Sequence, residues 1–168
     1  MRNVRRYGGK LAMINPDDGR QWTYAELNKE VNHLGNALLA DGMQKGDVLM
    51  LLLSNCPEFA FAYVAAHKMH GVCCPVSFRL SAGELAFNID DSKPMTLIFN
   101  DTFQDTVLEA LSLSCYQPKR LVVVGGKTNG KIISYEDYLK ESSEAEPHFD
   151  YDYNIYDETT RLYTSSTT

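Results

Sequence analysis

The residues best suited to chemistry close the chain: Tyr163-Thr164-Ser165-Ser166-Thr167-Thr168. An apolar stub, Leu162-Tyr163, runs into five consecutive hydroxyl side chains. Hydroxyls and backbone N–H groups donate to phosphate oxygens, and small side chains let the backbone come close. A strand feeding such a loop is therefore a recurrent polyphosphate cradle. The same composition also suits a plain polar tail, and the residues upstream decide between the two.

Other reactive side chains carry less. Cys56, Cys73, Cys74 and Cys115 form no C-x-x-C, and the adjacent Cys73 and Cys74 would point to opposite faces of a strand. They read as reduced, mostly buried thiols. His33, His67, His70 and His148 lack a metal-ligand spacing with nearby carboxylates and read as surface or helix-end histidines. No catalytic residue and no metal ligand is assigned on these grounds. A net charge of −6 argues against a nucleic-acid partner, which wants a basic face. With 168 residues, 44% hydrophobic and 23% charged, the chain is long and apolar enough to build a real core. Its longest apolar run, 48–53, is too short to span a bilayer, and no signal-length apolar stretch follows the basic residues Arg2, Arg5 and Arg6. A cytoplasmic protein without a transmembrane segment is expected.

The hydroxyl run needs a scaffold, and the pattern upstream supplies one. Thr23 and Glu26 make a capping box, after which Leu27, Val31, Leu34 and Leu38 recur at helical spacing, with Lys29, Glu30, Asn32 and Asn36 mostly on other faces. Gly42 ends this helix as a left-handed cap. Residues 48–53 show no polar alternation, as expected of a parallel strand buried on both faces. Pro57 opens a second helix, whose inner side is filled by Phe59, Ala62, Ala65, Ala66 and Met69. A strand at 72–76, a helix opened by the Ser81/Glu84 capping box, and a stop at Lys93-Pro94 follow. Strands at 95–99 and 121–124 flank a helix at 103–113; a short strand at 132–133 and a helix at 135–140 come last. Alternating strands and helices mean an α/β fold with a mostly parallel sheet flanked by helices.

Three stretches are expected: an α/β subdomain over 1–140, an acidic connector over 141–158, and a strand leading into the hydroxyl loop over 159–168. The middle stretch holds Glu141, Glu144, Glu146, Asp150, Asp152, Asp157 and Glu158 with no Lys or Arg. It reads as a solvated connector, against the alternative of an acidic, aromatic docking segment for a basic partner.

Four segments in this order resemble the N-terminal part of the acyl-adenylate-forming enzymes, which include acyl-CoA synthetases, nonribosomal-peptide adenylation domains and luciferases. They are Trp22-Thr23-Tyr24-Ala25-Glu26-Leu27-Asn28; the passage from Leu39-Ala40-Asp41-Gly42 through Gly46-Asp47-Val48 to Asn55-Cys56-Pro57-Glu58; His67 to Val76 with Leu80-Ser81-Ala82-Gly83-Glu84-Leu85 after it; and Tyr163 to Thr168. The first three are caps, turns and core, and only the fourth carries chemistry. The resemblance implies part of the large N-terminal domain of such an enzyme, and a two-step reaction. A small-molecule carboxylate attacks the α-phosphorus of ATP, with Mg²⁺ as cofactor, to give an acyl-adenylate and pyrophosphate; a thiol, that of coenzyme A, then displaces AMP.

By the same resemblance, Thr164, Ser165, Ser166, Thr167 and Thr168 would bind the β- and γ-phosphates. Ser166 departs from it, standing where the family usually has Gly. A carboxylate–CoA ligase of fatty-acid type is implied, with an amino-acid adenylation domain as the alternative within the family and a non-enzymatic interaction module as the alternative outside it. The family's remaining motifs are expected beyond Thr168. The chain is accordingly expected to be an N-terminal fragment, inactive alone and prone to self-association through apolar surface that the whole protein buries.

Overall fold

Residues Val48–Leu52 are apolar at every position and all buried, which requires covering layers on both sides of their strand. The computed structural model shows those layers; it describes residues 2–126, 128, 130–152 and 154–164. In chain order the elements are α1 (Arg2–Tyr7), β1 (Leu11–Ile14), β2 (Gln21–Thr23), α2 (Tyr24–Ala40), β3 (Val48–Leu52), α3 (Pro57–Lys68), β4 (Val72–Pro75), α4 (Ala82–Ser92) and β5 (Thr96–Asn100). A short 3₁₀ turn (Asp101–Phe103), α5 (Gln104–Leu113), β6 (Arg120–Val124), β7 (Ile132–Ser134) and α6 (Tyr135–Leu139) complete it.

Five strands form one parallel sheet in the order β4-β3-β5-β6-β7. Alternate residues of each strand go to opposite layers. Leu49, Leu51, Cys73, Ile98 and Val122 pack with Leu34 and Leu38 of α2, Ala62 and Ala65 of α3, and Tyr138 of α6. Val48, Met50, Cys74, Leu97, Phe99 and Val123 pack with Leu85 and Ile89 of α4 and Val107 of α5. Burial pushes the Cys73 thiol up to about 12 and that of Cys74 to about 11, so both stay protonated at neutral pH.

Both capping boxes form: Thr23 Oγ1 accepts from the Glu26 N–H while Glu26 accepts from the Thr23 N–H, and Ser81 and Glu84 do the same. Gly42 takes a left-handed φ of 92° just past α2, and Lys93 takes 49° to close α4 before Pro94.

Beyond one-residue shifts at several element ends, the structure departs from the sequence reading as follows. Helix α1 and the antiparallel hairpin β1–β2 were not signalled: each element is short, α1 has Val4 as its one aliphatic residue, and β1, Leu11-Ala12-Met13-Ile14, shows no alternation. The helix expected from 103 starts at Gln104, with a 3₁₀ turn ahead of it. Asn32, assigned by periodicity to an outer face, is buried. It is covered by the acidic stretch, which is laid along α2 and α3 while most of its described residues stay exposed. Asn32 Nδ2 donates to the Glu144 carbonyl (2.9 Å), Asn36 Nδ2 to those of Ser143 (2.7 Å) and Ala145 (2.9 Å), and Asn28 Nδ2 to the Glu146 carboxylate (2.8 Å). Lys68 pairs with Glu146 at 2.7 Å, Lys45 with Asp157 at 2.8 Å, and Tyr151 OH donates to the Met69 carbonyl at 2.7 Å. Finally, the strand expected from Arg161 to Tyr163 reduces to a single parallel bridge between Cys73 and Thr160.

The N-terminal end of β6 is held to the end of α2 by a fork: Arg120 Nε and Nη2 donate to the Asp41 carboxylate at 2.8 and 2.5 Å. Burial alone would raise the Asp41 carboxyl, but Arg120, with Tyr138 and Lys119, outweighs it and holds the group below its ordinary value. A depressed folded-state pKa contributes stability above the unfolded value of about 3.9, and that contribution is lost as pH falls through the folded value. Asp41→Asn is expected to lower the urea midpoint at neutral pH. Its stability should also fall less steeply than that of the native chain on acidification below about pH 4; parallel urea titrations at neutral and acidic pH check both.

Candidate functional site

In a parallel sheet every strand ends at the same edge, and in open α/β sheets ligands bind there. Two features mark that edge here. The connections leave β3 and β5 in opposite directions, so the gap between their ends is the topological switch point of the sheet. It is partly bridged by Asn100, whose Oδ1 accepts from the Ser54 N–H at 2.7 Å and from its hydroxyl at 3.0 Å. The second feature is the return of the chain beside β4. The Cys73 N–H donates to the Thr159 carbonyl and the Arg161 N–H to the Cys73 carbonyl, both at 2.9 Å, so residues 159–161 run parallel to β4 along its free side. Their direction carries Leu162, Tyr163 and Thr164 toward the ligand-binding edge.

Thr160, Arg161 and Tyr163 of this return are each tied down by a different contact. Arg161 forms a two-pronged pair with Glu158, Nε at 2.7 Å and Nη2 at 2.6 Å, which holds the Glu158 carboxyl below its usual range. Thr160 Oγ1 lies 3.0 Å from His67 Nε2 on α3. Tyr163 packs its ring against the α4–α5 layer and donates its hydroxyl to Asp91 of α4 at 2.6 Å. Burial first, and the Asp91 carboxylate second, push the Tyr163 hydroxyl up to about 12, so it remains a donor at neutral pH.

Beyond Tyr163 the chain borders a groove of about 620 Å³ lined by Ser77, Arg79, Phe87, Asn88, Tyr163 and Thr164, with Leu80, Gly83 and Glu84. Glu84 is occupied by its capping box. Asn88 is 5% exposed, and its side chain makes no hydrogen bond among the described residues. Arg79 is exposed on the groove wall and pairs with no carboxylate among the described residues. The groove thus offers a cation, a buried amide and hydroxyls, the donor set that a phosphorylated ligand requires.

Of the residues singled out by sequence, Thr164 lines this groove; Ser165, Ser166, Thr167 and Thr168 lie outside the described residues. Arg79 and Asn88 were missed. Asn88 had a signal: it falls on the apolar stripe of α4 with Leu85, Ile89 and Ser92, where a polar side chain is out of place.

The model of the AMP-binding enzyme family matches residues 1–168. The chain belongs to the AMP-binding enzymes. Over 100 residues, 58% of the chain, it is 38% identical to a crotonobetaine/carnitine–CoA ligase of Citrobacter koseri. The match spans only 19% of that relative's length. Among solved structures, an anthranilate–CoA ligase in complex with anthranoyl-AMP superposes with a TM-score of 0.87 at 22% identity, over 99% of this chain and 31% of the other. A Mycobacterium tuberculosis fatty acyl CoA synthetase gives 0.79 at 24% identity, over 98% of this chain and 31% of the other. At such identities the two structures establish the shared fold, and residues 2–164 have the parallel α/β architecture of the N-terminal part of adenylate-forming enzymes.

If Tyr163 is anchored through Asp91, the two side chains must be energetically coupled. Tyr163→Phe and Asp91→Asn should each cost about 0.5–1.5 kcal/mol, discounted toward the lower figure because Asp91 is exposed. The double variant should cost little more than either alone, which a double-mutant cycle of urea midpoints measures.

Proposed function

We propose that the protein to which this sequence belongs is an ATP-dependent carboxylate–CoA ligase. The observation that carries the reading is the delivery of Thr164, by the clamped return beside β4, to a groove at the strand ends that Arg79 and Asn88 also line. In this reading residues 1–140 are the α/β scaffold, 141–158 the connector and 159–168 the lead into the phosphate loop. A carboxylate oxygen attacks the α-phosphorus of ATP, the bond to the bridging oxygen breaks, and pyrophosphate leaves. The CoA thiol then attacks the acyl carbon, loses its proton and releases AMP.

The hydroxyls of Thr164, Ser165, Ser166, Thr167 and Thr168 would donate to the β- and γ-phosphates and so stabilise charge as pyrophosphate departs. Ser166, in place of Gly, would add a donor. Among the described residues no three His, Cys, Asp or Glu side chains gather closely enough to hold a metal, so Mg²⁺ is assigned to the nucleotide rather than to this part of the chain.

Fatty acids are the acyl class proposed first. The relative named for crotonobetaine and carnitine favours a second class, short acids bearing a quaternary ammonium. The full-length protein is expected to release pyrophosphate from ATP with one of these acids and to form the matching CoA thioester. Release stimulated only by amino acids, with no thioester, would reassign it as an amino-acid adenylation enzyme. In the same assay Thr167→Ala/Thr168→Ala is expected to lower kcat about ten- to a hundredfold, as for loss of a charge-assisted hydrogen bond of ~1.5–3 kcal/mol realised in the transition state. KM for the carboxylate should change little, and an unchanged kcat would remove the hydroxyls from that role.

A further inference from the structure

The N-terminal hairpin and the helix before it carry a surface that neither the core nor the proposed chemistry uses. Arg2, Arg5, Arg6 and Lys10 fall within 2–10 with no acidic residue among them, in a chain whose net charge is −6. All four are exposed. The ion pairs among the described residues engage Arg20, Lys29, Lys45, Lys68, Arg120 and Arg161, and none of these four. Arg6 and Lys10 converge on the Tyr7 ring, at 5.3 and 4.8 Å from its centre, so the cations of α1 and of the turn after it form one patch.

The strand that follows adds apolar surface to this patch. Leu11 pairs with Thr23, but Met13 pairs with Trp22 and Ile14 with Gln21, so β1 carries one extra residue, a bulge. Gln21 and Thr23 are two apart on β2 and share a face, opposite to the buried Trp22. Through the bulge Leu11 and Ile14, three apart, join that same outer face. They are 50% and 51% exposed. Without the bulge a regular strand would turn one of the two toward the core side.

We infer that this face docks on an anionic lipid surface, the cations on headgroup charges and Leu11 and Ile14 in the interfacial layer. Cations beside exposed aliphatic side chains are the combination that such surfaces select. The aliphatic pair has no role against a polyanion backbone, and the one aromatic ring of the patch, Tyr7, is covered by Arg6 and Lys10 rather than open for base stacking. A planar bilayer meets this patch without wrapping the acidic remainder of the molecule. Each Lys or Arg held at such a surface strengthens binding about fivefold.

The test is co-sedimentation of the full-length protein with phosphatidylserine/phosphatidylcholine vesicles and with pure phosphatidylcholine vesicles, at low and high salt. Binding is expected to the anionic vesicles only and to weaken with salt. Arg5→Glu/Arg6→Glu should reduce it by more than about twentyfold. Leu11→Ser/Ile14→Ser should reduce it severalfold while circular dichroism and pyrophosphate release stay unchanged. Arg5→Lys/Arg6→Lys should retain it. Absence of binding to anionic vesicles, or binding that survives Arg5→Glu/Arg6→Glu, would overturn the inference. So would equal binding to heparin that ignores Leu11→Ser/Ile14→Ser, since that result assigns the cations to polyanions in general.

Discussion

Everything in this structure depends on covering both faces of a parallel sheet. A strand apolar at every position, as β3 is, has no solvent side, and from β3 to β6 the strands are joined by helices lying on one face or the other. α2, α3 and α6 cover one face; α4 and α5 cover the other. Crossovers of this kind return every strand in the same direction, and so gather all the strand ends at one edge. The location of the groove thus follows from the burial requirement. Chemistry enters only in which side chains occupy the edge once it exists.

The acidic stretch shows how a local charge pattern yields to tertiary contacts. Seven carboxylates over 141–158 repel one another and, alone, favour solvent. What holds the stretch down is largely its backbone. Asn32 and Asn36 of α2 donate amide hydrogens to carbonyls of 143–145, which costs no carboxylate its hydration. Four of its carboxylates are themselves engaged: Glu144 by Lys29, Glu146 by Lys68, Asp157 by Lys45 and Glu158 by Arg161. Burial opposes ionisation of Glu146, yet Lys68 together with Asn28 holds its carboxyl below the usual value. The stretch therefore stays acidic on its outer side while being fixed on its inner one.

Much of the architecture was legible before any coordinates. The uninterrupted apolar run of β3, the two capping boxes, Pro57 and the Lys93-Pro94 stop are local signals, and each element they mark is present. What could not be read depends on partners distant in sequence. Asn28, Asn32 and Asn36 recur every fourth residue, and in isolation a polar stripe means solvent; only acceptors more than a hundred residues away, the Glu146 carboxylate and the carbonyls of Glu144 and Ser143, turn it into a docking ladder. Arg79 gave no local sign, because its importance lies in bordering a groove whose other wall is Tyr163 and Thr164. At the hydroxyl run, residue types suggested the chemistry, but the clamp that positions Thr164, Cys73 with Thr159 and Arg161, pairs backbone atoms and leaves no trace in side-chain pattern.

That clamp also bears on the order in which the molecule assembles. Cys73 and Thr160 are separated by about half the chain, whereas β3 and β4 or β5 and β6 are joined by a single helix. Closing so long a loop costs entropy that only a formed partner strand can offset. β4 must already be in place, with α3 and α4 packed on it, before residues 159–161 have a backbone to pair with. The return is therefore among the last native contacts to form and, having little burial of its own, among the first to open. Thr164 reaches the strand-end edge only in molecules whose sheet is complete, so the groove it borders is itself a late product of folding.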